Sequence, residues 1–257
     1  MNGELASEIR GKIDSGEITT TTLKTDDRVL ARITDGIYRK PSSALRELIA
    51  NAYDADASEV HIHTDAPRFD QIRVKDNGVG LSAEGLENLI EHIGGSAKRT
   101  QKGASLNLSD KTNPSLSPKG RRIIGKLGIG LFSVAQLTQH FQIITKQKGE
   151  PFRLIADVIL NIYEEDTRHQ QTDKYEGGTV NIWAEPASDL ASQGTEIILL
   201  SLKAQVRDIL RSKERWVDDN KPEANDPEIA PKAPPLYHVG VMDRKTSDTV
   251  QAQGSRI

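Results

Sequence analysis

The sequence predicts an α+β fold in which helices pack on one mostly antiparallel sheet. Helical patterns come first in the chain, and strand candidates then follow one another with short turns between them. Strands in direct succession pair antiparallel, because parallel neighbours need a long crossover connection. The four strand candidates are residues 140–147, 152–161, 178–185 and 195–202.

Apolar spacing predicts the remaining elements in chain order. Residues 28–40 place apolar side chains at helical intervals, and a second helix runs over 43–55 after the break at Pro41. Residues 59–64 and 71–75 alternate like strands. Further helices are predicted at residues 82–93, 129–138 and 204–216.

Local composition divides the chain into three parts. Residues 1–27 are polar and Thr-rich, which predicts a mobile arm, with exchange of this arm between subunits as the alternative. Residues 28–216 form the predicted domain. Within it, 94–124 is a polar insertion without apolar periodicity, which is typical of a functional lid or a disordered loop. Five of the 11 prolines lie in 222–235, so 217–257 is predicted to be a linker or an extension toward a further domain.

The overall composition excludes several classes of protein. Of the 257 residues 36% are apolar and 28% charged, as in a globular chain, and no run approaches the roughly 18 apolar residues of a membrane span. The absence of cysteine excludes disulfides and thiolate metal sites. A net charge of −3 gives no overall basic field for nucleic acid. The N-terminus lacks a signal-peptide pattern, so we expect a cytoplasmic protein with no membrane contact.

The helix predicted at 43–55 carries polar side chains on one face. Glu47, Asn51 and Asp54 are spaced four and three residues apart and fall opposite the apolar face. A solvated polar face is one interpretation. The other is a catalytic carboxylate beside an amide that binds Mg²⁺, since magnesium takes oxygen ligands and keeps several waters. In that interpretation Glu47 orients and deprotonates an attacking water.

A polar turn, Asp76-Asn77-Gly78-Val79-Gly80, follows the strand candidate at 71–75. As a plain structural element it is a hairpin or strand-to-helix turn, because Asn-Gly is a common turn dipeptide. As a binding site, Asp76 accepts a hydrogen bond from the exocyclic amine of adenine. A buried acceptor of this kind discriminates strongly against a base that lacks the donor. Gly78 and Gly80 then allow the backbone to approach the base.

Two glycine-containing segments complete the set. Three glycines in Gly125–Gly130 open a helix, where backbone N–H groups can bind phosphate. This segment is not a P-loop, since the Gly-Lys-Ser/Thr ending is absent, and it does not fit the dinucleotide fingerprint. Gly194 and Thr195 open a strand, and the Thr195 hydroxyl is a candidate hydrogen-bond partner near adenine and Asp76.

These four segments, in this order, resemble the GHKL superfamily of gyrase, the heat-shock ninety chaperone, histidine kinases and MutL. The resemblance covers residues 28–202 and implies a Bergerat fold, a two-layer α/β sandwich of antiparallel sheet and helices with a flexible ATP lid. Arg46–Ile49 and Gly125–Ser133 are similar to the chaperone, MutL and MORC branch. Asn51–Asp54 and Ile93–Lys98 are closer to MORC-type ATPases.

The resemblance implies a role for each site residue. Glu47 is the general base, Asn51 is the magnesium ligand, and Asp76 is the adenine acceptor. Thr195 supports Asp76. The other implied nucleotide contacts are Asp54, Gly78, Gly80, Ser96, Lys98, Gly125, Lys126, Leu127, Gly128, Ile129 and Gly130.

The resemblance also implies a function, namely an ATP-binding and Mg-dependent ATP-hydrolysing module of a chaperone-like, MORC-like or MutL-like conformational machine. Closure of the lid on ATP would favour dimerisation, as γ-phosphate contacts order switch segments in other nucleotide machines. The expected partners are ATP and ADP, a second copy of the chain, and a further C-terminal domain or a client protein. Nucleic acid stays an open alternative, because residues 94–124 contain seven Lys and Arg residues.

Two other functions stay open on the sequence. One is a switch module that binds ATP without turnover. In several of these families a following domain supplies a lysine to the γ-phosphate, and residues 203–257 are too short and Pro-rich to be that domain. The other is a histidine-kinase catalytic domain. It is disfavoured because no His precedes His61 and because that branch lacks a Glu corresponding to Glu47.

Overall fold

The computed structural model describes residues 3–25, 41–91, 109–124, 131–161, 175–211, 239–242 and 249–252. The chain divides into two compact units. The first consists of Met1–Thr64 and Asp70–Lys203, and the second of Asp65–Phe69 and Ala204–Ile257. The four segments singled out in the sequence all belong to the first unit.

An antiparallel sheet forms the centre of the first unit. Its strands are β1 (Thr19–Thr25), β2 (Val60–His63), β3 (Ile72–Asp76), β4 (His140–Lys146), β5 (Phe152–Leu160), β6 (Tyr175–Pro186) and β7 (Gly194–Leu200). They form one seven-stranded sheet in the order β1-β6-β5-β4-β7-β3-β2, with every neighbouring pair antiparallel. The predicted α+β class with an antiparallel sheet is therefore confirmed.

The helices described in the first unit are α1 (Glu4–Gly11), α2 (Pro41–Asp54), α3 (Ala83–Glu91) and a 3₁₀ helix (Leu131–Gln136). Helix α2 packs against the 3₁₀ helix and β3, whereas α1 packs against α3 and β6. Helix α2 begins at a proline, whose fixed φ and missing N–H suit the first turn of a helix. These contacts hold α2 beside the strand that ends in Asp76.

Three neighbouring strands, β3, β7 and β4, share two rows of buried apolar side chains. One row is Ile72, Leu199 and Phe141, and the next is Val74, Ile197 and Ile143. Side chains alternate between the two faces of a sheet, so the next position on the same face lies two residues further along each strand. Those positions are Asp76, Thr195 and Thr145. The apolar core therefore ends in a polar row, and this row contains the predicted adenine acceptor.

The expectation of a mobile arm is wrong for residues 3–25, which form α1 and the edge strand β1. Helix α1 buries Leu5, Ala6 and Ile9. The Glu87 Oε1 atom of α3 accepts hydrogen bonds from the backbone N–H groups of Gly3 at 3.1 Å and Leu5 at 3.2 Å. A helix of this length gains its stability from tertiary contacts rather than from its own sequence, so local composition did not reveal it.

The other sequence-predicted elements differ from the structure mainly at their ends. The helix predicted at 129–138 is a 3₁₀ helix over Leu131–Gln136, and the strand predicted at 178–185 runs over Tyr175–Pro186. The helix predicted at 43–55 begins two residues earlier. The helix predicted at 28–40 lies outside the described residues.

The second unit contains helix α4 (Ala204–Arg211) and two short strands, β8 (Val239–Met242) and β9 (Thr249–Ala252), which pair antiparallel. The sequence predicted only a linker or extension over this strand pair. Within the same unit, the Arg211 guanidinium donates a hydrogen bond to the Arg68 carbonyl at 2.5 Å. In the part of the chain that the structure describes, no helix is both long and apolar enough to cross a membrane.

Candidate nucleotide-binding site

Asp76 ends β3 with a carboxylate that is held by backbone groups. Its Oδ1 accepts hydrogen bonds from Gly78 N at 2.8 Å and from Thr195 N at 3.3 Å. Its Oδ2 has no protein partner among the described residues. Burial raises the pKa of the Asp76 carboxyl above its ordinary value, and the two backbone hydrogen bonds partly oppose this rise. One carboxylate oxygen is thus fixed by the protein, while no protein group among the described residues reaches the other.

The backbone around Asp76 approaches neighbouring strands so closely that glycine is required. Gly80 has a φ of +70°, and a Cβ added to it would lie 2.1 Å from the carbonyl oxygen of Lys146. Gly194 has a φ of +138°, and a Cβ there would lie 2.1 Å from the carbonyl oxygen of Asp76. Both positions combine a left-handed φ with a backbone contact too short for any side chain. They fix the turn after β3 against the ends of β4 and β7.

Thr145 of β4 joins the polar row to the turn. Its side chain is buried, and its Oγ1 lies 3.2 Å from Thr195 Oγ1 and accepts a hydrogen bond from Leu81 N at 2.8 Å. Thr195 therefore contacts Asp76 through its backbone N–H, while its hydroxyl meets Thr145. The sequence had suggested the Thr195 hydroxyl as the partner of Asp76 or adenine.

The C-terminal end of α2 touches the same turn. Val79 N donates a hydrogen bond to the Ala55 carbonyl at 2.9 Å, and a Cβ on Gly78 would lie 2.7 Å from that carbonyl oxygen. Asn51 and Glu47 lie one and two turns back along the helix. A rise of 1.5 Å per residue puts them about 6 and about 12 Å from Ala55 along the axis. Helix α2 thus connects the Asp76 pocket to a carboxylate and an amide that are both half-buried.

Asp54, the third polar residue predicted on α2, is buried with 2% exposure. Its Oδ1 accepts a hydrogen bond from Ile124 N at 2.9 Å. Ile124 directly precedes Gly125, the start of the glycine segment that the sequence assigned to phosphate. For Asp54, a solvated polar face is therefore wrong, because its carboxylate holds the chain at the entry to that segment.

Helix α2 ends in a Schellman motif. Asp56 N donates to the Tyr53 carbonyl and Ala57 N donates to the Ala52 carbonyl, both at 3.0 Å. The left-handed residue of this motif is Asp56, with a φ of 61°. Glycine is the usual residue there, and a residue with a Cβ costs about 1 kcal/mol more. The Asp56 side chain is fully buried, so its contacts offset that cost.

Several predicted site residues lie outside the part of the chain that the structure describes. They are Ser96, Lys98, Gly125, Lys126, Leu127, Gly128, Ile129 and Gly130. Their implied phosphate contacts stay predictions. The structure brings together Asp76, Gly78, Gly80 and Thr195, and it places α2 against them.

Sequence reasoning missed three residues of this region. Thr145 could have been found as a polar residue in the alternating apolar pattern of β4. Asn77, interpreted only as a turn residue, accepts hydrogen bonds at its Oδ1 from Ser58 N and Glu59 N. For Asp56 the sequence gives only a weak indication, which is that an Asp follows the helix at a position where glycine is usual.

Comparison with known families identifies the family of the chain. A family model described as Histidine kinase-, DNA gyrase B-, and HSP90-like ATPase matches residues 38–181. The chain belongs to this family. The matched span includes α2 and the turn after β3, so the GHKL resemblance drawn from the motifs is confirmed. The fold is accordingly the antiparallel sheet and helix layer of GHKL ATPases.

Individual relatives come from three kinds of protein. HgiDII of Herpetosiphon aurantiacus, a predicted type II restriction enzyme, is 26% identical over 197 residues, which is 75% of this chain and 27% of HgiDII. The chaperone protein HtpG of Mycobacterium bovis is 29% identical over 140 residues, 48% of this chain and 21% of HtpG. The DNA mismatch repair protein MutL of Beijerinckia indica is 32% identical over 126 residues, 49% of this chain and 18% of MutL. The chain therefore spans about a quarter or less of the length of these relatives.

Proposed function

We propose that this chain is an ATP-binding and Mg-dependent ATP-hydrolysing module of a GHKL-type conformational machine. The observation that supports it best is the Asp76 carboxylate, which is fixed through Oδ1 and open at Oδ2 beside the end of α2. Family membership supplies the ATPase class. The positions of Asp76 beside one end of α2, and of Asn51 and Glu47 farther back along the helix, support separate places for the adenine and the phosphates.

The open oxygen of Asp76 supports adenine recognition. Asp76 is half-buried, and its Oδ2 has no protein partner among the described residues, so this oxygen can accept a hydrogen bond from a donor group of a ligand. The exocyclic amine of adenine is such a donor. A base with a carbonyl at that position would place two acceptors together and would be rejected. Asp76 therefore sets the preference for adenine in this proposal.

In this proposal the phosphates lie toward the N-terminal end of α2. With adenine at Asp76, the triphosphate extends back along the helix past Asn51 toward Glu47. Asn51 would hold Mg²⁺ through its amide oxygen, and the bound ion would neutralise charge on the phosphates. In the described residues no cluster of three or more His, Cys, Asp or Glu side chains is placed to hold a metal. A single protein ligand fits an ion whose other ligands are phosphate oxygens and water.

Glu47 is the proposed general base. Its carboxylate orients a water molecule toward the γ-phosphorus and accepts the proton as the water attacks. The bond from the γ-phosphorus to the bridging oxygen breaks, which gives ADP and inorganic phosphate. Catalysis then rests mainly on positioning and charge stabilisation, as in other phosphoryl transfers.

The mechanical consequences are also part of the proposal. Lid closure over residues 94–124, dimerisation with a second copy on ATP binding, and action on a client protein or nucleic acid are what a chaperone-like, MORC-like or MutL-like machine would do. The attachment of the lid's end to α2 through Asp54 supports a link between nucleotide binding and the lid.

Calorimetric titration of ATP with Mg²⁺ into the wild-type chain and into Asp76→Ala tests the function. We expect saturable binding by the wild type and its loss in the variant, because the variant removes the adenine acceptor. A folded wild-type chain that does not bind ATP would contradict the proposal. Equal binding by both chains would remove Asp76 from the adenine pocket.

The affinity for adenine should fall on acidification, and it should do so at a higher pH than if the pKa of Asp76 were that of an ordinary Asp. Burial raises the pKa of Asp76, and only the ionised carboxylate offers an acceptor at Oδ2, so affinity falls as the pH drops through the raised pKa. Adenosine is the suitable ligand, because it has no phosphate that titrates. Fluorescence or calorimetric titration from about pH 4, near the ordinary Asp value, up to about pH 8 measures this.

The direction of this effect distinguishes it from unfolding. A carboxyl whose folded-state pKa is raised binds protons more readily in the folded chain, so this group stabilises the fold as the pH falls. Loss of adenosine binding in a chain that keeps its circular dichroism would therefore report on Asp76 itself. A constant adenosine affinity across the window would contradict the role of its ionised form.

A further inference from the structure

Residues 109–124, called here the 109–124 loop, form an ordered structure of their own. Ser117 N donates to the Arg121 carbonyl at 2.7 Å, and Ile123 N donates to the Ser115 carbonyl at 3.0 Å. Leu116 and Arg122 form an isolated antiparallel bridge. The sequence had predicted this segment only as the second half of a polar lid. These internal hydrogen bonds give the loop a defined conformation, so contacts at a few of its residues can fix the position of the whole loop.

Asp56 attaches this loop to the end of α2. Its Oδ1 accepts a hydrogen bond from Ser117 Oγ, and its Oδ2 accepts one from Lys119 N at 2.8 Å. The Ser117 hydroxyl is fully buried and also accepts a hydrogen bond from Arg121 N at 2.9 Å. Both oxygens of a carboxylate with no solvent exposure are therefore used by a segment about 60 residues away in the chain.

Arg121 adds a second layer to the same attachment. Its guanidinium donates to the Ala57 carbonyl at 2.5 Å and lies 5.3 Å from the centre of the Tyr53 ring. It is also 3.9 Å from Asp56 Oδ1, so it partly compensates the buried carboxylate. Tyr53, Asp56 and Ala57 all belong to the last turn of α2 or its Schellman motif.

The backbone conformation at Asp56 does not require a carboxylate to end the helix. Glycine would adopt the left-handed φ of 61° more easily, yet an Asp occupies the position. A left-handed Asp is tolerated because its side chain is short and polar. The carboxylate then points at the 109–124 loop, which meets α2 a second time where Asp54 accepts from Ile124 N.

We propose that Asp56 is a positioning residue for phosphate binding. By fixing the 109–124 loop on the end of α2, it fixes the place from which the chain continues into Gly125. The inference rests on the proposed function, because it assigns Asp56 to the attachment of the chain that leads into the proposed phosphate-binding segment. Asp56 does not touch the ligand; it acts through the loop.

The test compares ATP with adenosine, using Asp56→Gly. Glycine suits the left-handed backbone, so this variant removes the carboxylate while keeping the end of α2 intact. We expect ATP affinity to fall about tenfold or more, because charge-assisted hydrogen bonds that place the loop are lost. Adenosine affinity, which depends on Asp76, should stay unchanged. Asp56→Asn keeps one acceptor oxygen and tolerates the same φ, so it should recover part of the ATP affinity.

Asp110→Ala is the matched control. Asp110 lies in the same loop, but its Oδ1 accepts only from Thr112 and Asn113 among the described residues and does not reach α2. Its removal should leave the affinities for ATP and adenosine as in the wild type. Ser117→Ala is a second test variant, because it removes the hydroxyl that donates to Asp56. It should lower the affinity for ATP and leave the affinity for adenosine unchanged.

The outcomes separate the inference from the proposed function. A wild-type chain that binds neither ligand overturns the proposed function and the inference with it. Wild-type binding of ATP with equal losses for ATP and adenosine in Asp56→Gly, or with no loss, overturns the inference alone. Limited trypsin digestion gives an independent readout. Cleavage after Lys119, Arg121 or Arg122 should accelerate in Asp56→Gly and not in Asp110→Ala, and unchanged cleavage would refute the attachment.

Discussion

Replacement of Glu47 by glutamine is expected to abolish ATP hydrolysis while leaving ATP binding intact. Glutamine has nearly the same shape as glutamate but cannot accept the proton of the attacking water. A positioned general base contributes on the order of 10² to 10⁴ in rate, so phosphate release should fall by that factor. The proposed adenine acceptor Asp76 belongs to the turn that contacts Ala55, which lies about two helical turns from Glu47, so we expect the substitution to leave adenine binding unchanged.

The measurement pairs phosphate release with calorimetric ATP titration on the same preparations of wild type, Glu47→Gln and Glu47→Ala. Hydrolysis at the wild-type rate by either variant would remove Glu47 from the role of base. A fall in affinity that matches the fall in rate would make it a binding residue instead. A wild-type chain that binds ATP without releasing phosphate would favour the alternative of a switch module without turnover.

Gly80→Ala is expected to have the largest effect on stability. The new Cβ would lie 2.1 Å from the Lys146 carbonyl oxygen, a rigid backbone atom, and the φ of +70° is unfavourable for alanine. Relief requires the turn after β3 to move away from β4, which disrupts the Leu81 N to Thr145 Oγ1 hydrogen bond. We expect the free energy of unfolding to fall by at least about 3 kcal/mol and nucleotide binding to be lost.

Gly149→Ala supplies the control for that variant. Gly149 also has a left-handed φ, +88°, but a Cβ there would have no atom within 4 Å. Its cost is therefore the backbone term alone, about 1 to 2 kcal/mol. Urea denaturation of both variants measures the difference. Equal destabilisation would show that the close approach of Gly80 to Lys146 is relaxed without cost.

Much of the central sheet was predictable because its signals are local and periodic. The alternation in β3 and β4 follows from one buried face, and Asp76 stands at the next inward position after Ile72 and Val74. The site residues there could be named for the same reason. A strand that ends in an acid followed by two glycines restricts what the backbone can do in few residues.

The unpredicted features all depend on partners far away in the chain. Helix α1 is held by Glu87, more than 80 residues later, and nothing in its own eight residues specifies that contact. Asp54 seemed to share a polar face with Glu47, but its partner Ile124 is 70 residues away. The same holds for Asp56 and Ser117, so residue spacing along one helix could not show which carboxylates hold the 109–124 loop.

The position of β1 at the edge of the sheet has a consequence for the order in which the protein is made. Its partner is β6, and paired residues such as Thr20 and Asn181 are 161 positions apart. Because synthesis runs from the N-terminus, β1 must therefore wait until nearly all of the first unit has emerged from the ribosome. A run of four threonines, Thr19–Thr22, suits that delay, because a polar strand exposes little apolar surface to neighbouring chains. Strand β1 precedes the other described strands of the sheet in the chain, yet it is among the last of them that can pair.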